Sequence, residues 1–268
     1  MVKDLPIYEG SPSEVIGREA LAVLGAALLW PLGLIKSKRR TPRLAEQRTV
    51  VLVHGYLANP TSFLALKAYL RWAGHKQILS YHYKSTAPID ASAAGLKQFL
   101  KKHVRGGRID LVCHSLGGVV AAVYLAELDG ARRVDRCVSL GTPHRGTYNA
   151  YWVLGRVGRE LRPDSTLLQR LKKSRAKAKS VVFSSIVGSS DNIILPRVFA
   201  ADKRNTDVVP GLGHISMLFS PEVMRLVARR LAKPLAVEKS TAAESSKSTR
   251  KRTLKAKRPS RRRVNKAK

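Results

Sequence analysis

Carboxylates are scarce in this 268-residue sequence: 18 Asp and Glu stand against 50 Lys and Arg, a formal net charge of +32. An excess of that size goes far beyond what solubility requires and directs the chain towards an anionic partner or surface. Cysteines are fewer still, with only Cys113 and Cys137. Both fall in apolar, strand-like runs, so they read as buried small hydrophobes rather than a disulfide framework, and a reducing compartment is expected. No basic leader precedes the first apolar run, where Asp4, Glu9, Glu14 and Glu19 stand instead; this argues against a secretory signal. The sequence also lacks an internal repeat, a Gly-rich phosphate loop and a recognisable metal-ligand pattern, so neither metal nor cofactor is expected.

What is present suits one α/β domain with two appendages, since 44% of the residues are hydrophobic and a single core commonly reaches about 250 residues. The last segment, 233–268, carries 14 Lys and Arg against two Glu, a net of +12, with almost no large apolar residue. It reads as a disordered basic tail able to hold nucleic acid, polyphosphate or an anionic membrane in a salt-dependent way. It has no aromatic residue for base stacking, so it is not expected to read a sequence. The remaining +20 lies outside the tail.

At the other end, residues 1–47 hold an uncharged apolar run, Ala20 to Ile35, followed by Lys36, Lys38, Arg39, Arg40 and Arg43. As a helix the run is roughly 24 Å long, short of the about 30 Å of a bilayer core, and Pro31 disturbs it. Two readings stay open: a membrane anchor, or a hydrophobic helix packed on the domain. The basic cluster after the run would keep the domain that follows in the cytoplasm, at the cytoplasmic face of a membrane if the run is an anchor.

Between residues 48 and 232 short apolar strands alternate with helical segments, the pattern of a mostly parallel sheet flanked by helices. Strands are expected at TVVLVHG, KQILSYHY, IDLVCHS, DRCVSLG, SVVFSSIVG and, weakly, NTDVV; helices at about Phe63–Trp72, Ala91–Lys102, Gly117–Leu128 and Pro221–Ala232. Residues 145–179 are too long and too helical for a plain connection and are expected to form a short cap. Its Tyr148 and Trp152 are candidates to line a substrate-binding site.

The chemistry concentrates in IDLVCHSLGGVVAAVYLAEL, a strand that turns at Ser115 into a helix of small residues. This is the layout of a nucleophile elbow, with Cys113 where a glycine is usual and Gly117 and Gly118 on the helix side. The turn would lift the Ser115 hydroxyl above the sheet and leave the Leu116 N–H for a developing oxyanion; the Tyr56 N–H, after His54-Gly55, is the candidate second donor. His54 would brace that loop rather than act as a base.

Four blocks, VLVHGY, VCHSLGG, VSLGTPHRGT, and SIVGSSDNIILP with GLGHISML, resemble the bacterial lipase and esterase branch of the α/β-hydrolase family. The resemblance runs from about Arg48 to Ala232, and the cap segment LRPDSTLLQRL shares it. It implies an α/β-hydrolase fold and a triad in the order Ser115, Asp191, His214: nucleophile, orienting acid, general base. His54, His114 and His144 compete for the base, and Asp164 and Asp207 for the acid, but only His214 lies in the loop after the acid and only Asp191 ends a strand run. The expected function is a serine hydrolase cleaving lipid-like or hydrophobic carboxylic esters. The alternative is a hydrolase-fold tethering protein held on nucleic acid, polyphosphate or anionic membrane by its tail.

Overall fold

The computed structural model describes residues 11–34, 48–200 and 205–232. The chain divides into Met1–Leu231 and Ala232–Lys268. The second unit, which holds the expected basic tail, lies outside the described residues except for Ala232, as does the basic cluster from Lys36 to Arg43.

Six parallel strands form the sheet: β1 (Thr49–Val53), β2 (Ile78–Tyr81), β3 (Ile109–His114), β4 (Val134–Leu140), β5 (Val182–Gly188) and β6 (Thr206–Val209), in the order β2-β1-β3-β4-β5-β6. Side chains alternate across a strand, so one run of apolar residues feeds two cores. Val51, Val53, Leu111 and Cys113 pack against α3 (Ile89–His103) and α4 (Leu116–Glu127). Val50, Leu52, Val112 and Leu140 pack against α2 (Leu64–Trp72) and α7 (Pro221–Ala232). This is the expected α/β-hydrolase architecture.

Between β4 and β5 lies the helical cap, with α5 (Gly155–Glu160), α6 (Thr166–Ser174) and 3₁₀ turns at Tyr148–Tyr151 and Arg175–Ala178. It is fastened to the α3–α4 face: Glu160 accepts from the Ile89 N–H at 2.9 Å, and Arg170 joins Glu127 and Asp90. At the N-terminal ends of β3 and β4, the fully buried Asp110 meets Arg136 and Arg48 at 3.3 and 3.1 Å. Burial there pushes its carboxyl above the usual range although both guanidinium groups pull it down.

The apolar N-terminal run forms α1 (Pro12–Leu29), starting eight residues before the uncharged stretch and turning 3₁₀ at Trp30–Leu34. Pro12 sits in the first helical turn, where its missing N–H costs nothing, and Pro31 removes the donor needed to continue the α-helix. Residues Pro12–Gly33 are long and apolar enough to cross a membrane by length and composition. Here, however, the helix is bonded to the domain near its middle, through Glu19, and at its C-terminal end, through Trp30, while Ile16, Leu21, Leu24 and Leu28 stay exposed.

Candidate active site

The C-terminal ends of β1, β3, β4 and β5 and the loops after β5 and β6 meet at one edge of the sheet, where open α/β sheets collect their chemistry. Ser115 follows β3 with φ 52° and ψ −125°, a conformation that side chains avoid. Two main-chain bonds hold it: its N–H donates to Leu140 O at 2.9 Å, and its carbonyl accepts from the Gly118 N–H at 3.0 Å. The helix that follows runs so close to β1 that a Cβ at Gly117 would sit 2.6 Å from His54 O and nearer still to Val53 O. Glycine there is a condition of the turn.

Asp191 and His214 are brought together from the loops after β5 and β6. His214 Nδ1 lies 2.8 Å from Asp191 Oδ2, and both side chains are buried. Asp191 Oδ1 accepts from the Ile193 and Ile194 N–H groups at 2.9 Å each. Burial alone would raise this carboxyl, but His214 and those two donors hold it below the usual carboxylate range, so it is ionised at neutral pH. The two loops are stitched to each other by Ser190 N to Leu212 O and Gly211 N to Ser189 Oγ, both 3.0 Å. Gly141, at φ +52° after β4, packs against both groups: a Cβ there would lie 3.1 Å from Asp191 Oδ2 and from His214 Nδ1.

Ser115 and His214 share this edge without a direct hydrogen bond between their side chains. They are linked through His114, whose Nε2 lies 3.1 Å from His214 O and whose ring sits 4.8 Å from the His214 ring. Burial drives His114 down to about 3, with His214 beside it adding to the fall. His54 is likewise lowered to about 4 by burial. It contacts Gly55 O through Nδ1 at 3.0 Å and stacks on Tyr83, bracing the loop as expected. Both rings are therefore neutral spacers around the site.

The other candidates divide. The Tyr56 and Leu116 N–H groups make no hydrogen bond among the described residues, and they flank Ser115: a Cβ on Gly55 would lie 3.0 Å from the Ser115 Cβ. Tyr148 borders a cavity of about 510 Å³ beneath α6, away from Asp191 and His214, and Trp152 is 86% exposed. His144 Nε2 meets Ser139 Oγ at 2.9 Å, Asp207 pairs with Arg230, and Asp164 is bonded to Gln169. Cys113 and Cys137 are both buried free thiols, and burial pushes Cys113 well above the ordinary range, which fits the expected hydrophobe. No group of three or more His, Cys, Asp or Glu suited to a metal gathers among the described residues.

Sequence reasoning missed Glu19. Its carboxylate accepts from the Ile215 and Ser216 N–H groups at 2.6 and 3.0 Å, directly beside His214. The available signal was its position, a carboxylate at the edge of an uncharged apolar run, which favours a polar partner where the run packs on the domain. Asn59 was missed too: its Nδ2 donates to Trp30 O at 2.8 Å, and the Trp30 indole N–H donates to Leu57 O at 3.1 Å.

Residues 48–164 match the family model for the alpha/beta hydrolase fold. Among solved structures, the chain is similar to a gene product of Listeria innocua (15% identity, TM-score 0.58, 71% of this chain and 96% of that one). It is also similar to phospholipase PlaB from Legionella pneumophila in complex with thio-NAD (15%, 0.60, 78% and 64%), of which it spans just under two thirds. A third likeness is to the mature form of the Bacillus licheniformis lipase BlEst2 (14%, 0.57, 74% and 95%). At these identities the likeness is one of fold.

Proposed function

For a chain that belongs to the α/β-hydrolase superfamily, we propose the activity of a carboxylic-ester hydrolase with Ser115 as nucleophile, His214 as general base and Asp191 as its orienting acid. The observation that carries the reading is the buried 2.8 Å Asp191–His214 bond at the sheet edge that also presents Ser115 in a strained turn. With Nδ1–H donated to the ionised Asp191, the His214 Nε2 is left as an acceptor for the Ser115 proton. Ser115 Oγ attacks the ester carbonyl, and the negative charge on its oxygen meets the N–H groups of Tyr56 and Leu116. Collapse expels the alcohol, protonated by His214, and leaves an acyl-serine. Water, deprotonated by the same histidine, then releases the acid and restores Ser115.

The preferred substrate is an ester of a hydrophobic acyl chain. Support comes from the lipase and phospholipase among the fold neighbours and from apolar surface beside Tyr56 and Ile215. The same reading sets the enzyme at the cytoplasmic face of a membrane, supported by the outward apolar residues of α1, of which Ile16, Leu21 and Leu28 are each about 70% exposed. The test is hydrolysis of p-nitrophenyl esters from acetate to dodecanoate by wild type and Ser115→Ala. Wild-type turnover that falls at least about 10³-fold in the variant is expected. Absence of wild-type turnover on every chain length, with and without anionic vesicles, overturns the reading.

A further inference from the structure

The structure has an open apolar cleft of about 450 Å³ between α1 and the loop after β1, bordered by Val23, Ala26 and Trp30 on one side and Tyr56, Leu57 and Ile215 on the other. That volume is in the range of small-ligand sites. One end of the cleft lies beside the reacting groups, because Tyr56 adjoins Gly55, which packs on the Ser115 Cβ, and Ile215 adjoins His214. We propose that this cleft receives the acyl chain of the substrate, which makes α1 a wall of the active site and Glu19 the residue that holds the wall in place. The proposal rests on the ester-hydrolase reading for the identity of its ligand.

The helix is built for the task. Glu19, Val23, Ala26 and Trp30 recur at i, i+4, i+7 and i+11 and so form one stripe. Small residues on the cleft side leave room for a chain, whereas the bulky Leu21, Leu24 and Leu28 point elsewhere and are exposed. From Val23 to Trp30 the stripe is about 10 Å long, which suits an unbranched chain of medium length. The ends are pinned, by Glu19 on the Ile215 and Ser216 N–H groups and by the reciprocal Trp30, Leu57 and Asn59 bonds. Bonds from a carboxylate to main-chain donors are the strong kind, and Glu19 spends both oxygens on the segment that carries the histidine. Glu19 thus acts as a positioning residue, setting the distance between wall and catalytic loop.

A chain lying in this cleft leaves water one methylene at a time, so kcat/KM should rise by up to about fourfold per methylene until the cleft is full. The experiment compares decanoate with butyrate p-nitrophenyl esters. Ala26→Phe narrows the cleft, and Glu19→Ala releases the wall without adding bulk; each should lower the decanoate-to-butyrate ratio of kcat/KM at least tenfold. Ala20→Ser, at an exposed position of α1 that does not border the cleft, should leave the ratio as it is. Gln169→Trp intrudes on the rival cavity beneath α6; a ratio that drops in this variant but not in Ala26→Phe or Glu19→Ala overturns the proposal. Equal losses on both esters in those two variants overturn it as well. Calorimetric titration of Ser115→Ala protein with free decanoate provides a readout independent of turnover. Saturable binding that Ala26→Phe weakens at least tenfold supports the cleft even if the ester-hydrolase reading fails, and no binding overturns the cleft even if esters are turned over.

Discussion

Ser115 carries a backbone conformation that a glycine would adopt more cheaply, since φ 52° with ψ −125° costs a residue with a Cβ about 1–3 kcal/mol. The stiffening lost from the unfolded chain on substitution by glycine offsets part of that cost. Ser115→Gly is therefore expected to stabilise the fold by about 1 kcal/mol in urea unfolding while abolishing esterase turnover. A variant less stable than wild type would show that the turn is relaxed rather than strained. At this scale the sequence was informative where chemistry is local: Ser115 sits between a strand and a small-residue helix, and Asp191 and His214 follow in loops behind apolar strands. It was silent on Glu19 and Asn59, whose partners are set by how the chain returns on itself and not by their neighbours.

The junction of β1 with α4 is the element most sensitive to a single methyl group. A Cβ at Gly117 collides with two main-chain carbonyls, which cannot turn aside as a flexible side chain would. Gly117→Ala is expected to cost about 2–3 kcal/mol in stability and to lower kcat, because the helix start carrying the Leu116 N–H must retreat. Unchanged stability with unchanged kcat would contradict this packing. Elements as such were largely legible: the six expected strands match β1 to β6 with ends that differ by a few residues, and α2, α3, α4 and α7 stand where apolar spacing predicts them. Residues 145–179 were legible as a helical insertion, but its packing on α3 and α4 was not, because it depends on Arg170 and Glu160 finding partners far along the chain.

Across the molecule as a whole, two buried histidines tie stability to pH. His54 at about 4 and His114 at about 3 lie below the unfolded value of about 6.5. As pH falls, the unfolded chain takes up these protons before the folded one does. The stabilisation is thus complete above about 6.5 and lost as pH drops towards 4 and then 3, at up to about 1.4 kcal/mol per pH unit for each ring. Denaturant unfolding between pH 7 and 4 should display this slope, and His54→Gln should flatten it; a His54→Gln slope equal to that of the wild type would show that His54 is not a source. The Glu19 contact with Ile215 and Ser216 also has a consequence in time. A ribosome delivers Glu19 almost two hundred residues before the loop that receives it, so the greasy helix waits for its place while those residues are made. Any chain abandoned before that loop emerges keeps the helix unsecured, and the pocket it would help to wall comes into being only once that loop has been made.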